Sequence, residues 1–184
     1  MNISDAQREN RLRFCGGFYG QLVSGVLWLL SGCLAVTVGV KAAIIALVFG
    51  GFMIFPLTES LVRLSGRKNL SEANTLRHLG MQVAFVLPFS MLLLFPVTQY
   101  RTNLFYPAIM ILLGAHYIPF VFLYGMRLFA FLAGILISGG VCIAMYGANR
   151  FSTGAWTTGL VLVLFAFLGR KCAGNDHSER KAEG

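Results

Sequence analysis

Gln21, Glu59, Gln82 and His116 are side chains with hydrogen-bonding or acid–base capacity set within otherwise apolar stretches of the sequence. A polar group in hydrocarbon is costly unless it meets another polar group, water or a freed backbone carbonyl. At about 1.5 Å of helix rise per residue, Gln21 and Gln82 lie about two turns into their stretches and His116 lies near the middle of its own. All four therefore share one half of a bilayer, and they are expected to converge there. Glu59 is the only acid among these stretches, and two readings are open for it. It pairs with Arg63 one turn later, an i to i+4 arrangement from which the arginine reaches water and which keeps the carboxylate ionised. Alternatively it is a proton or cation site at the floor of a polar pocket, with His116 as its titrating neighbour. For His116 the competing reading is a neutral imidazole bonded to a carbonyl of an adjacent helix.

Other chemistries lack their residues. No Cys or His spacing resembles a metal site, so neither a metal nor a cofactor is expected. Ser24 and Ser138 have no surrounding motif for nucleophilic catalysis, and the expectation is a protein that is not an enzyme. Cys15 and Cys172 fall at the cytoplasmic face, while Cys33 and Cys142 fall in the outer halves of the first and fifth stretches. The latter two read as small buried apolar residues or, less simply, as a bridge.

The elements that must position these residues are six charge-free apolar stretches, 14–40, 42–58, 79–100, 102–126, 128–149 and 151–169. Most match the roughly 20 residues that cross a bilayer core as helix, and the second reaches that length by taking in Glu59 and residues 60–62. The sequence thus predicts an all-α fold, a six-transmembrane-helix bundle. Basic residues are retained on the cytoplasmic side of a membrane. With the N-terminus inside, twelve of the fifteen Lys and Arg are cytoplasmic and only Lys41, Arg101 and Arg150 are outside. Both termini are therefore expected in the cytoplasm and the protein in the inner (plasma) membrane. The net charge of +8 is mostly this bias and points to anionic lipid headgroups rather than to nucleic acid. Residues 1–13 read as a polar cytoplasmic anchor, 14–169 as the membrane domain and 170–184 as a disordered cytoplasmic tail. The first stretch is too long for a cleaved signal peptide and reads as a retained span.

Small residues forecast close helix packing: Gly16, Gly20 and Ser24 at four-residue spacing in the first stretch, and Ala130 with Gly134 in the fifth. Pro56, Pro88, Pro96 and Pro119 each remove a helical hydrogen bond and free the carbonyl four residues earlier. Tyr100, Tyr106, Tyr146 and Trp156 read as interfacial anchors at the outer face, Tyr19 and Tyr124 at the inner one. Ser71 followed by Glu72 reads as the N-cap of the third span.

The segments Gly114, Ala115, His116, Tyr117, Ile118, Pro119, Phe120 and Phe55, Pro56, Leu57 resemble landmarks of a bacterial family of small multi-pass membrane proteins known only as a domain of unknown function. The resemblance covers roughly residues 15 to 145. It implies that His116 and Pro119 belong to what the family shares, and it implies no substrate. Two functions fit the residues. One is a small transporter or channel-like protein with a cytoplasm-facing polar pocket lined by the four polar side chains, completed by a possible homo-oligomer. The other is a non-catalytic membrane component that binds lipid or a partner membrane protein.

Overall fold

The computed structural model describes residues 1–147 and 150–182, with side chains described as far as Gly174. Every regular element among them is helical: α1 Ile3–Phe14, α2 Phe18–Thr37, α3 Val40–Leu64, α4 Arg77–Ser90, α5 Leu94–Tyr100, α6 Phe105–Tyr124, α7 Leu128–Cys142 and α8 Thr153–Ala182. Six helices, counting α1 with α2 and α4 with α5 as continuous, are long and apolar enough to cross a membrane. The expected tail at 170–184 begins as a continuation of α8, whose backbone is helical to Ala182; its side chains after Gly174, like residues 148 and 149 at the end of the fifth stretch, lie outside the described residues.

The expected polar anchor at the N-terminus is a helix packed onto the bundle. Asn2 caps α1 by accepting a hydrogen bond from the Asp5 amide at 2.8 Å, and Asp5 in the first turn with Arg11 and Arg13 in the last suits the helix dipole. Ala6, Asn10 and Arg13 form its buried face. Between α1 and α2 the chain turns through Cys15, Gly16 and Gly17, all three with left-handed φ of 49°, 63° and 86°.

Two helix pairs are pressed together through glycine. A Cβ on Gly25 of α2 would stand 3.1 Å from the Gly159 carbonyl oxygen of α8, and one on Gly159 would stand 3.1 Å from the Gly25 oxygen. Gly16 abuts the Gly169 backbone at the end of the same seam. Gly114 of α6 meets the Ala133 carbonyl of α7 in the same way at 3.0 Å, and Gly140 of α7 meets the Pro107 carbonyl at 2.9 Å. In lipid such backbone contact replaces the hydrophobic drive that packs soluble helices. Two sequence expectations change here. Gly16 and Gly20 do not share a neighbour, because Gly20 faces Thr58 of α3. Ala130 and Gly134 face outwards, with open space beside Gly134, while Ala133 and Gly140 carry the contact.

Ser31 ties three helices, donating to the Ala43 carbonyl of α3 at 2.8 Å and bonding the Tyr106 hydroxyl of α6 at 2.6 Å. Tyr106 is fully buried and tilted against Trp28, so it is a core residue rather than the expected interfacial anchor. Tyr124, also buried, stacks on Phe120 and Phe129. Cys33 and Cys142 are free thiols at exposed positions, not the small buried residues expected.

The α3 and α4–α5 flank is covered far less. Only 11 % of the apolar window of each is buried, against 44 % for α6. Pro88 and Pro96 accompany a break of the third span into α4, a 3₁₀ turn at Met91–Leu93, and α5, whereas α3 and α6 run on through Pro56 and Pro119. Ser71 does not cap α4, which starts at Arg77; its hydroxyl accepts from the Ala73 amide, and Asn74 accepts from the Leu76 amide at 2.9 Å to shape the turn before the helix.

Candidate functional site

At the α1 end of the bundle, polar side chains find partners. Gln7, Asn10 and Arg11 lie on adjacent turns of α1 and donate to the carbonyls of Phe122, Leu123 and Tyr124 at 2.6, 3.1 and 2.6 Å. Those are the last carbonyls of α6, where the helical ladder runs out; Phe122 also accepts from the capping Gly125 amide at 3.3 Å. Glu9 accepts from the Ser71 amide at 2.7 Å and from Asn74 Nδ2 at 2.6 Å. Arg13 donates to the Lys68 carbonyl at 2.7 Å, to Asn69 Oδ1 at 3.0 Å and to Glu59 Oε1. Glu59 also accepts from Arg63 Nε at 3.2 Å. The expected Glu59–Arg63 pair is therefore present, but the buried partner is Arg13, with a side chain 6 % exposed against 71 % for Arg63.

Sequence reasoning missed Asn10, Arg13, Glu9 and Asn74, since a polar terminal segment reads as solvated. The signal was available: Asn2 before Asp5 is a helix start, and residues 6, 10 and 13 fall on one helical face.

The four polar side chains expected to converge go to separate places. Glu59 belongs to the α1 end. Gln82 is exposed on α4. Gln21 is buried near Gly17 and Gly169, and neither its amide oxygen nor its nitrogen has a partner. His116 lies in α6 beside Tyr117 and Phe120, with ring centroids 5.8 and 5.2 Å away. Among the described residues no hydrogen bond or ion pair joins any two of the four, and of the four only His116 lines either of the two cavities described below.

His116 instead borders a groove between α4 and α6. The groove has a volume of about 120 Å³ and is lined by Val83, Val86, Leu87 and Ser90 of α4 and Leu112, Ala115, His116 and Pro119 of α6. Ser90 and His116 supply its polar side chains. The Ser90 hydroxyl is engaged, donating back to the Val86 carbonyl at 2.8 Å. The imidazole is not: its Nδ1 is fully covered and has no partner. Pro119 has no N–H, so the Ala115 carbonyl four residues earlier lacks its helical donor. A second cavity, of about 10 Å³, lies between Ser24, Trp28, Leu47, Gly51, Met91 and Leu113, with room for little more than a water.

Such a groove can take a compact apolar body and offer it one imidazole edge. It has no second titratable group for acid–base work, and among the described residues no group of three or more His, Cys, Asp or Glu could hold a metal. No curated protein and no solved structure matches the chain. A family model matches residues 3–170, from the start of α1 to near the end of the sixth membrane-length helix, so the chain belongs to a family of unknown function, DUF7010.

Proposed function

We propose that the protein is a non-catalytic multi-pass membrane component that holds a lipid-soluble ligand in the groove between α4 and α6, with both termini in the cytoplasm of a cell whose inner membrane it spans. The observation that carries the reading is the groove itself: about 120 Å³ of largely apolar space beside an unpartnered imidazole, on the least covered flank of the bundle. Transport through a polar pocket has less support, because no hydrogen bond or ion pair joins any two of Gln21, Glu59, Gln82 and His116 among the described residues and Gln82 is exposed. The twelve to three distribution of basic residues supports the orientation.

Photolabelling with an aryl diazirine in lipid nanodiscs tests the binding reading. Saturable labelling of residues 83–90 and 112–119, lost when Ala115→Phe fills the groove, is the expected result. Labelling spread evenly over the lipid-facing surface overturns it. So does a proton flux in proteoliposomes that Glu59→Gln abolishes, which would return the transport reading. Reporter fusions after Arg101 and Lys171 check the orientation; a periplasmic reporter active at Lys171 reverses it.

A further inference from the structure

We infer that the groove selects its ligand through the Nε2–H of His116, and that the ligand is a small neutral molecule carrying a carbonyl or similar uncharged acceptor oxygen on a single ring or short branched body. The inference rests on the groove being a binding site and adds what it recognises.

Neither nitrogen of the ring meets a hydrogen-bond partner within the described chain, and only Nδ1 is fully covered, which leaves Nε2 as the nitrogen on the open side. A neutral imidazole places its one proton on either nitrogen. A covered N–H with no acceptor is the rarer and costlier orphan, whereas an unused acceptor lone pair is better tolerated. The proton therefore belongs on Nε2, directed outwards. Water cannot be counted on to receive it. His116 is eleven residues from the start of α6 and eight from its end, which at 1.5 Å per residue puts it roughly 16 Å and 12 Å from the two ends and well inside the apolar layer. The acceptor must then arrive with something that dissolves there.

The other groups of the groove narrow the class. Ser90 spends its proton on Val86, and the Ala115 carbonyl contributes an acceptor only, so Nε2–H is the groove's available donor. Whatever else the ligand carries, it must bring an acceptor. It must also be uncharged. Glu59 and Arg63 of α3 are paired at the α1 end, and the groove lining has no charged residue to balance an ion. Size sets the third limit, since about 120 Å³ is close to the space that accepts one benzene ring.

Acetophenone and α-methylstyrene test this as a pair, because they are close in size and differ only in C=O against C=CH₂. Binding to the full-length protein in nanodiscs is measured after correction for each probe's partition into lipid. The ketone is expected to bind about fivefold to tenfold more tightly, the value of one net hydrogen bond. The ¹⁵N resonance of His116 Nε2, assigned by its loss in His116→Phe, is expected to move with the ketone and stay still with the alkene. His116→Phe keeps a ring in place and should make the two probes bind equally. Equal binding to the unaltered protein, an unmoved Nε2 resonance or a proton found on Nδ1 overturns the inference and leaves the groove a plain apolar site. If neither probe competes with diazirine labelling of residues 83–90 and 112–119, the groove reading fails and the inference with it.

Discussion

Arg13 and His116 are both polar side chains largely covered by the fold, and the chain treats them in opposite ways. Arg13 is surrounded by three acceptors from two segments: Glu59 of α3, and the Lys68 carbonyl and Asn69 side chain of the loop after it. His116 has aromatic rings on one side and a groove on the other, with no acceptor or donor supplied. A fully satisfied polar network rigidifies the structure around it, and removing a member exposes the rest to an unpaid desolvation cost. An unsatisfied group contributes nothing to folding that an apolar residue of the same shape would not. The difference separates polarity that holds the fold from polarity kept for another purpose, and it can be measured one side chain at a time.

The largest effect is expected at Arg13. Arg13→Ala leaves Glu59, 20 % exposed, with only the exposed Arg63, and strips the Lys68 carbonyl and Asn69 of their donor. Removing one partner of a mostly buried pair costs about 3 kcal/mol. Thermal unfolding of the detergent-solubilised protein should show a marked drop, and the double variant Arg13→Leu with Glu59→Leu should recover much of it. A drop in the single variant that the double variant does not relieve would mean that the carbonyl contacts, not the ion pair, hold α1 down.

Asn10 comes second. It is 2 % exposed and donates to the Leu123 carbonyl at the end of α6, so Asn10→Ala orphans a carbonyl inside the α1–α6 contact at a cost of about 1–2 kcal/mol. Hydrogen exchange at the α6–α7 turn around Gly125 should quicken. Third is Arg63, whose exposed guanidinium gains little from Glu59 in water; Arg63→Ala is expected to cost at most about 1 kcal/mol and to lose even that at high salt. Ranking Arg63 above Arg13 in a measured series would reverse the comparison at its polar end.

How far these roles were legible in the sequence differs by residue. The six membrane-length helices follow from hydropathy, because length and apolarity are one-dimensional properties. The i to i+4 relation of Glu59 and Arg63 was legible for the same reason. Arg13 as the buried partner was not, since it requires α1 to fold back 46 residues from Glu59 in sequence, and the three left-handed residues that aim it, Cys15, Gly16 and Gly17, give no local signal of direction. Glycine content forecast close packing, but which glycines meet a neighbour depends on helix rotation. That is why Gly25 and Gly140 carry contacts while Gly134 faces open space. Depth alone suggested that Gln21, Glu59, Gln82 and His116 would meet. Depth is one coordinate of three, and the rotation of α4 turns Gln82 outwards while Val83 and Val86 line the groove.

The smallest expected effect on stability is the most informative. If His116 were one more member of a structural network, His116→Phe would cost as much as Asn10→Ala. In the geometry described, the substitution removes a covered nitrogen that has no partner and puts a carbon edge against Tyr117 and Phe120, so the change in stability should lie within about 0.5 kcal/mol of zero or favour the variant. Ala115→Phe, which fills the groove from the same helix face, should also be tolerated, since the space it enters is already open. Both variants are expected to unfold at or above the temperature of the unaltered protein while losing saturable labelling or its ketone preference. A clear loss of stability in His116→Phe would show that the imidazole has a partner within the folded chain, and would place it with Arg13 on the structural side of the comparison.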